Sequence, residues 1–239
     1  FPRWNWALTE PEDLVRLRQE YAERKIRSTG KNLYSPFNLP YLFIIQQRQR
    51  DLLRGLKERQ IHSLEGSQIL EVGCGGGGVL LEYLSLGASP GKIFGLDLLL
   101  DRLAEAHQKL PLAGICCADG QNLPYQENTF DLVLQYTAFS SILEGAIKQK
   151  MADEMQRVLK PGGAIIWYDF WLNPTNPQTR GIRPKEISAL FGGCSITFYK
   201  ISLAPPIARR IVPICWGLGL ILESLKLFNS HYLAIIEKG

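Results

Sequence analysis

Apolar positions along the chain follow two periods. From Gln68 to about Phe170, short apolar runs alternate with amphipathic stretches of helical period. The runs "QILEVG", "KIFGLDL", "AGICCAD", "NTFDLVLQYTAF" and "GGAIIWYDF" read as strands. Between them, "GGVLLEYLSLG", "LLDRLAEAHQKL" and "AIKQKMADEMQRVL" read as helices. Strands separated by helices of this length predict parallel β-α-β units, and so an α/β fold with an open doubly wound sheet. Ligands of such sheets sit beyond the carboxyl ends of the strands.

The flanks have a different texture. Residues 1–62 carry a helical period and are expected to form an N-terminal helical lid over a core of residues 63–239. Within the lid, Glu12 to Ile26 places Leu14, Leu17 and Tyr21, with Val15 alongside, on one helix side. "STGKNLYSPFNLP" holds Gly30, Pro36 and Pro40 and reads as a loop before a second helix, roughly Tyr41 to Arg59. After the fifth strand come a short helix, "PKEISALF", and a strand, "CSITFYKISLA". Residues 205–228 follow as a helical insertion of roughly twenty residues before a last strand, "HYLAIIEK". The insertion can be a core-packing helix, a wall over an apolar acceptor, a dimer interface or an interfacial membrane helix.

Composition narrows the picture. With 239 residues, 46% hydrophobic and 21% charged, the chain can bury a core and is not of disordered type. Net charge is +4, and residues 1–62 hold 12 Lys or Arg against 7 Asp or Glu. No basic stripe with interleaved aromatics accompanies them, so no nucleic-acid partner is expected. Five cysteines without a C-x-x-C pair, and three histidines, predict no metal site. The odd cysteine count suits a reducing, cytoplasmic setting. The longest apolar run, Ile211 to Leu222, has 12 residues, short of the roughly 20 that span a bilayer. The chain starts at Phe1 and not at Met, which suggests a trimmed chain or a domain cut from a longer protein, and its start has no secretory leader pattern.

The candidate chemistry centres on "EVGCGGGG", Glu71 to Gly78. Gly73, Gly75 and Gly78 satisfy the dinucleotide pattern G-x-G-x-x-G. A P-loop would need Lys after the last glycine, where Val79 stands. Asp97, at the end of the second strand, can accept from ribose hydroxyls, a role shared by dinucleotide sites and adenosyl-sulfonium sites. Glycines and Asp97 together point to an adenosine-bearing ligand without choosing between the two. Plainer roles exist for each: close packing for the glycines, a helix cap for Asp97, a turn for Asp119. Glu71 favours a cationic ligand, because a carboxylate beside a pyrophosphate is repelled. Asp119 ends the third strand in "ADGQNLPY", where it can accept from an adenine amino group while the Gly120 N–H faces the ring. "RVLKPGG" is a tight turn into the fifth strand.

The order E-x-G-x-G-x-G, Asp97, "ADGQNLPY", "FDLVLQYTAFSSIL" and "MQRVLKPGGAIIWYDF" resembles the class I S-adenosylmethionine-dependent methyltransferases over roughly residues 65–172. The resemblance implies a Rossmann-like seven-stranded sheet, mostly parallel with an antiparallel last strand, and S-adenosylmethionine as cofactor. It implies that Glu71, Gly73, Cys74 and Gly75 border the methionine part, and that Asp97 takes the ribose hydroxyls. Leu98 would pack on adenine, Asp119 and Gly120 would meet it, and Gln135 would offer its backbone to the cofactor's amino group.

The acceptor is less defined. Asp169, after "IIWY", and Tyr34, in the N-terminal loop, are the catalytic candidates. Tyr136 adjoins the cofactor strand, and His231 reads as a packing or surface residue. The expected function is methyl transfer to a small-molecule or carrier-bound acceptor, at oxygen, in polyketide or other secondary-metabolite biosynthesis or in glycan biosynthesis. Methylation at nitrogen or carbon of a small or lipid-like molecule is the alternative. A nicotinamide-dependent oxidoreductase or a non-catalytic cofactor-binding module are the readings from other classes.

Overall fold

The computed structural model describes residues 33–173 and 178–238, together with Val15, Arg16, Gln19 and Glu23. Most of the anticipated helix Glu12–Ile26 lies outside them, although those four residues are helical.

Seven strands form one sheet: β1 Ile69–Val72, β2 Ile93–Asp97, β3 Gly114–Cys117, β4 Phe130–Tyr136, β5 Leu159–Phe170, β6 Ser195–Leu203 and β7 Asn229–Glu237. Their order is β3-β2-β1-β4-β5-β7-β6. Pairs among the first five strands are parallel, and β7 runs antiparallel to both β5 and β6. The sheet is the one anticipated. The chain winds outward from β1 to β3, then returns to place β4 on the other side of β1. That reversal is the switch point at which doubly wound sheets hold ligands. β1 and the central part of β5 are buried on both faces, so they read as nearly unbroken apolar runs.

Seven helices complete the described chain: α1 Leu39–Glu58, α2 Gly78–Ser85, α3 Leu100–Lys109, α4 Gly145–Val158, α5 Pro184–Leu190, α6 Pro205–Ile211 and α7 Trp216–Ser224. α1 starts where it does because the Asn38 side chain accepts the Tyr41 N–H and Pro40 needs no partner in the first turn. Side-chain alternation divides the core. Leu134 and Tyr136 of β4, Ile166 and Tyr168 of β5, and Leu233 and Ile235 of β7 face α1 and α2. Val133, Ile165, Trp167, Ala234 and Ile236 face α4 and α5 on the opposite side.

Two expectations change. The compact unit that holds the sheet begins at Tyr34. α1, inside the anticipated 1–62 lid, is built into that core, and a Cβ on its Gly55 would overlap Ile235 Cδ1. The 205–228 insertion is two helices, not one of about twenty residues. Pro213 has no N–H to continue the helical ladder, and Cys215 instead caps α7 by accepting the Leu218 N–H on Sγ at 3.4 Å. Cys117, on the sheet's edge strand β3, is exposed.

Candidate functional site

The glycine turn hangs from the end of β2. Gly73 N–H and Cys74 N–H both donate to Leu96 O at 2.9 Å, and Gly77 N–H closes the turn on Cys74 O at 2.9 Å. Gly73, Gly75 and Gly77 occupy the left-handed region, at φ of 79°, 51° and 75°. Glycine is the residue for which that region is free of steric cost. These are the glycines of E-x-G-x-G-x-G. Gly78, the third glycine of the dinucleotide pattern, has no positive φ and open space around it. The turn thus uses one of the two patterns it satisfies on paper.

Glu71 stands one residue from the end of β1, nearly fully buried. Its Oε2 has no hydrogen-bond partner among the described residues. Burial pushes its carboxyl up to about 8, Glu82 and Asp97 add to the rise, and Arg48 and Arg102 oppose it. A buried, unpartnered carboxylate is costly unless a donor or a cation reaches it. The donor set fits a cationic, amine-bearing ligand such as the methionine end of S-adenosylmethionine, and does not fit a pyrophosphate.

Asp97 is held ready at the end of β2. Gly75 N–H donates to its Oδ2 at 2.9 Å, and Leu99 N–H to its Oδ1 at 3.0 Å. Each carboxylate oxygen has a second lone pair for a ligand hydroxyl. Leu98 is half-buried beside it. Cys74 is buried under the turn, and burial with the nearby Glu71 and Asp97 keeps its thiol protonated. Asp119 is exposed after β3 and accepts the Gln121 N–H at 2.9 Å, a turn geometry. Gly120 is small because Met151 Cε would lie 2.8 Å from a Cβ there.

The acid and the amide at the ends of β4 and β5 lock each other. Gln135 Oε1 accepts the Ala138 N–H at 2.8 Å, and its Nε2 donates to Asp169 Oδ2 at 3.3 Å. Asp169 also accepts Ser140 N–H at 3.0 Å and Phe170 N–H at 2.8 Å, and it is buried. Burial moves it up to about 6, against those hydrogen bonds. Asp169 therefore fixes the loop after β4, and its oxygens are already engaged. Tyr34 is 70% exposed, with its ring edge-on to Tyr41 at 5.8 Å.

A second buried cluster, which the sequence does not mark, lies on the α1 face of the sheet. Arg48 of α1 pairs with Glu82 of α2 through Nη2, at 2.5 and 2.7 Å. Its guanidinium stacks over Tyr136 and Tyr168, 4.9 Å from each ring centre. Tyr83 and Tyr136 share a hydroxyl hydrogen bond of 3.1 Å, and Tyr168 shares one of 2.8 Å with Ser202. His231 stacks on Tyr168 and meets Ser230 Oγ through Nδ1 at 3.0 Å. Burial and Arg48 lower its pKa to about 3, so the imidazole is neutral. Burial raises the three tyrosines above their ordinary value. Every titratable ring in this cluster is held in its uncharged form. Arg48 carries the hint that could have found it: an arginine facing inward among the apolar residues of an otherwise ordinary helix.

A family profile described as a methyltransferase domain matches residues 70–167. Over 121 residues the chain is 35% identical to a phthiotriol/phenolphthiotriol dimycocerosates methyltransferase of Mycobacterium ulcerans, covering 47% of this chain and 40% of that one. It is 32% identical over 132 residues to a sterol 4-C-methyltransferase of Caenorhabditis elegans, covering 52% and 38%. The chain thus spans about two fifths of each relative's length. In fold it is similar to an S-adenosylmethionine-bound amino pentose methyltransferase of Micromonospora echinaspora, with a TM-score of 0.57 at 15% identity, covering 90% of this chain and 96% of that one.

Proposed function

We propose, from the premise that this chain belongs to the class I S-adenosylmethionine-dependent methyltransferase family, that it transfers a methyl group to a small, apolar, lipid-like acceptor. The observation that carries the reading is Glu71: a buried carboxylate with an unpartnered oxygen, directly before the glycine turn. S-adenosylmethionine supplies an activated methyl group. Glu71 and the turn glycines then hold its amino-acid end, Asp97 the ribose, Leu98, Asp119 and Gly120 the adenine. Gln135 keeps the β4 loop in place through Ala138 and Asp169.

The acceptor is proposed to bind beyond the carboxyl ends of β4 and β5, over the buried Tyr136, Tyr168 and His231, with Tyr34 at the solvent side. The two matched relatives are named for lipid-like acceptors, and the insertion's exposed leucines suit such a molecule. Methylation at oxygen remains the favoured reaction, with one refinement. His231 is a weak base, the tyrosines hold their protons, and Asp169 is hydrogen-bonded. Oxygen methylation normally needs a proton removed. A site without a free base suits an oxygen that ionises in solvent before it binds, such as a carboxylic acid, a phenol or an enol. Methylation at carbon is the second reading, supported by the matched relative named a sterol 4-C-methyltransferase. A polyketide or glycan setting and a carrier-bound acceptor find no support of their own in these residues.

Incubation with methyl-labelled S-adenosylmethionine and fractionated cell extract tests this. Label should enter the organic-solvent phase. Label confined to the aqueous phase would contradict the lipid-like acceptor, and no label in any fraction would contradict transfer itself.

A further inference from the structure

α7 is inside out. Its two buried residues are Gly219 and Glu223, one turn apart on the inward face. Gly219 rests on Phe43 and Val212, and Glu223 accepts from Asn229 Nδ2, Lys226 Nζ and Arg50 Nη2. Trp216 and Leu222 pack on the Phe43 and Val212 cluster, but Leu218, Leu220 and Ile221 are exposed, as are Ile214 before the helix and Leu225, Leu227 and Phe228 after it. A surface helix in water does the reverse. A contiguous run of exposed large apolar side chains marks a contact surface.

Charge says what the contact is. In residues 205–228 the only acidic side chain is Glu223, which is 1% exposed and neutralised from within. Arg209 and Arg210, at the end of α6, are exposed, and α6 packs against α7. Arg50 and Arg54 line the groove beside Leu220 and Ile221; their carboxylate partners Asp51 and Glu223 are buried, and Arg54 also lies 3.9 Å from the exposed Glu58. The face therefore shows apolar side chains ringed by cations and no exposed acid of its own segment. That pairing fits a bilayer surface with anionic headgroups, where apolar side chains enter the acyl boundary and arginines meet phosphates. The excursion leaves β6 and re-enters β7 near the carboxyl end of β5, where Tyr168 stacks on His231, with Ala204 N–H donating to Phe228 O across its neck at 2.9 Å.

We infer that α6 and α7 form an interfacial membrane-docking surface for anionic lipid. The inference goes beyond the proposed reaction and is read by binding alone, so its failure leaves the donor site standing. The experiment is flotation of the full chain with phosphatidylcholine vesicles and with vesicles of equal parts phosphatidylcholine and phosphatidylglycerol. The chain should float with the anionic vesicles, less at high salt, and little with the neutral ones. Neutralising both arginines, Arg209→Gln with Arg210→Gln, should weaken the anionic binding by roughly thirtyfold, from about 1 kcal/mol per basic residue. Leu218→Asp with Ile221→Asp, at exposed positions that leave the Gly219–Glu223 face intact, should abolish it without lowering the melting temperature. Absence of flotation, or equal flotation of wild type and both variants, would overturn the inference. So would a wild-type dimer that these aspartates dissociate while neither form floats, since the face would then be covered by a second copy.

Discussion

Gly73 and Ala138 meet so closely that a side chain cannot stand between them: a Cβ on Gly73 would lie 2.8 Å from that of Ala138. The contact joins the β1 turn to the loop after β4, on the two sides of the switch point. Gly73 also sits at φ 79°. Gly73→Ala should therefore cost about 1–3 kcal/mol in a urea titration and lose S-adenosylmethionine binding. Gly78→Ala should be neutral or stabilising by about 0.4–1 kcal/mol, because its φ is ordinary and its surroundings are open. Equal damage at both positions would mean that the dinucleotide pattern, not E-x-G-x-G-x-G, describes the turn.

Glu71 links donor binding to pH. Its folded pKa is raised to about 8, above the ordinary 4.5. The stability this contributes is fully present below about 4.5 and lost as pH rises through about 8. Glu71→Gln should therefore be more stable than wild type at pH 8 and lose that advantage by pH 5. Binding of a cation beside Glu71 lowers its pKa, so at pH 7 binding should release a proton. Calorimetry in buffers of different ionisation enthalpy reads that release, and it should vanish in Glu71→Gln.

His231 works in the opposite direction. Its folded pKa is depressed to about 3 from 6.5. Its stabilisation is present above about 6.5 and lost as pH falls through about 3. The groups facing it are Arg48, Tyr168, Phe170 and Ser230. His231→Phe should keep the stack on Tyr168 and flatten the acid arm of the stability curve. An acid arm identical to wild type would remove His231 as its source.

Arg48 and Glu82 are the ion pair that ties α1 to α2. Removing one partner strands the other in a largely buried site. Arg48→Met and Glu82→Gln should each cost roughly 3 kcal/mol, and the double variant less than their sum. Additive losses would show that the pair is not coupled.

The sheet was legible because its central strands are buried on both faces and the strands are punctuated by glycine and proline at helical intervals. β1 to β5 follow from "ILEV", "IFGLD", "GICC", "FDLVLQY" and "AIIWYDF", and the family resemblance placed "HYLAIIEK" as the antiparallel last strand. The donor side was legible because Glu71, the glycines and Asp97 lie within one β-α-β unit, where spacing in sequence fixes spacing in space. The cluster of Arg48, Tyr136, Tyr168 and His231 was not, because it joins α1, β4, β5 and β7, separated by up to the length of the whole sheet. Asp169 shows the same limit: its place at a strand end suggested a base, whereas Gln135 and Ser140, drawn in by the fold, occupy its oxygens. The split of the 205–228 helix was readable at Pro213, but which residues face outward depends on Phe43 and Asn229, far away in sequence.

Calorimetry of S-adenosylmethionine against wild type and Asp97→Ala tests the central proposal most directly. Wild type should bind with simple saturation, and Asp97→Ala should bind at least about 2 kcal/mol more weakly, from loss of charge-assisted bonds to the ribose. Far weaker binding of NAD to wild type should accompany this. Unchanged affinity in Asp97→Ala would contradict its ribose role, and a wild type that ignores S-adenosylmethionine and its demethylated product would contradict the donor site as a whole.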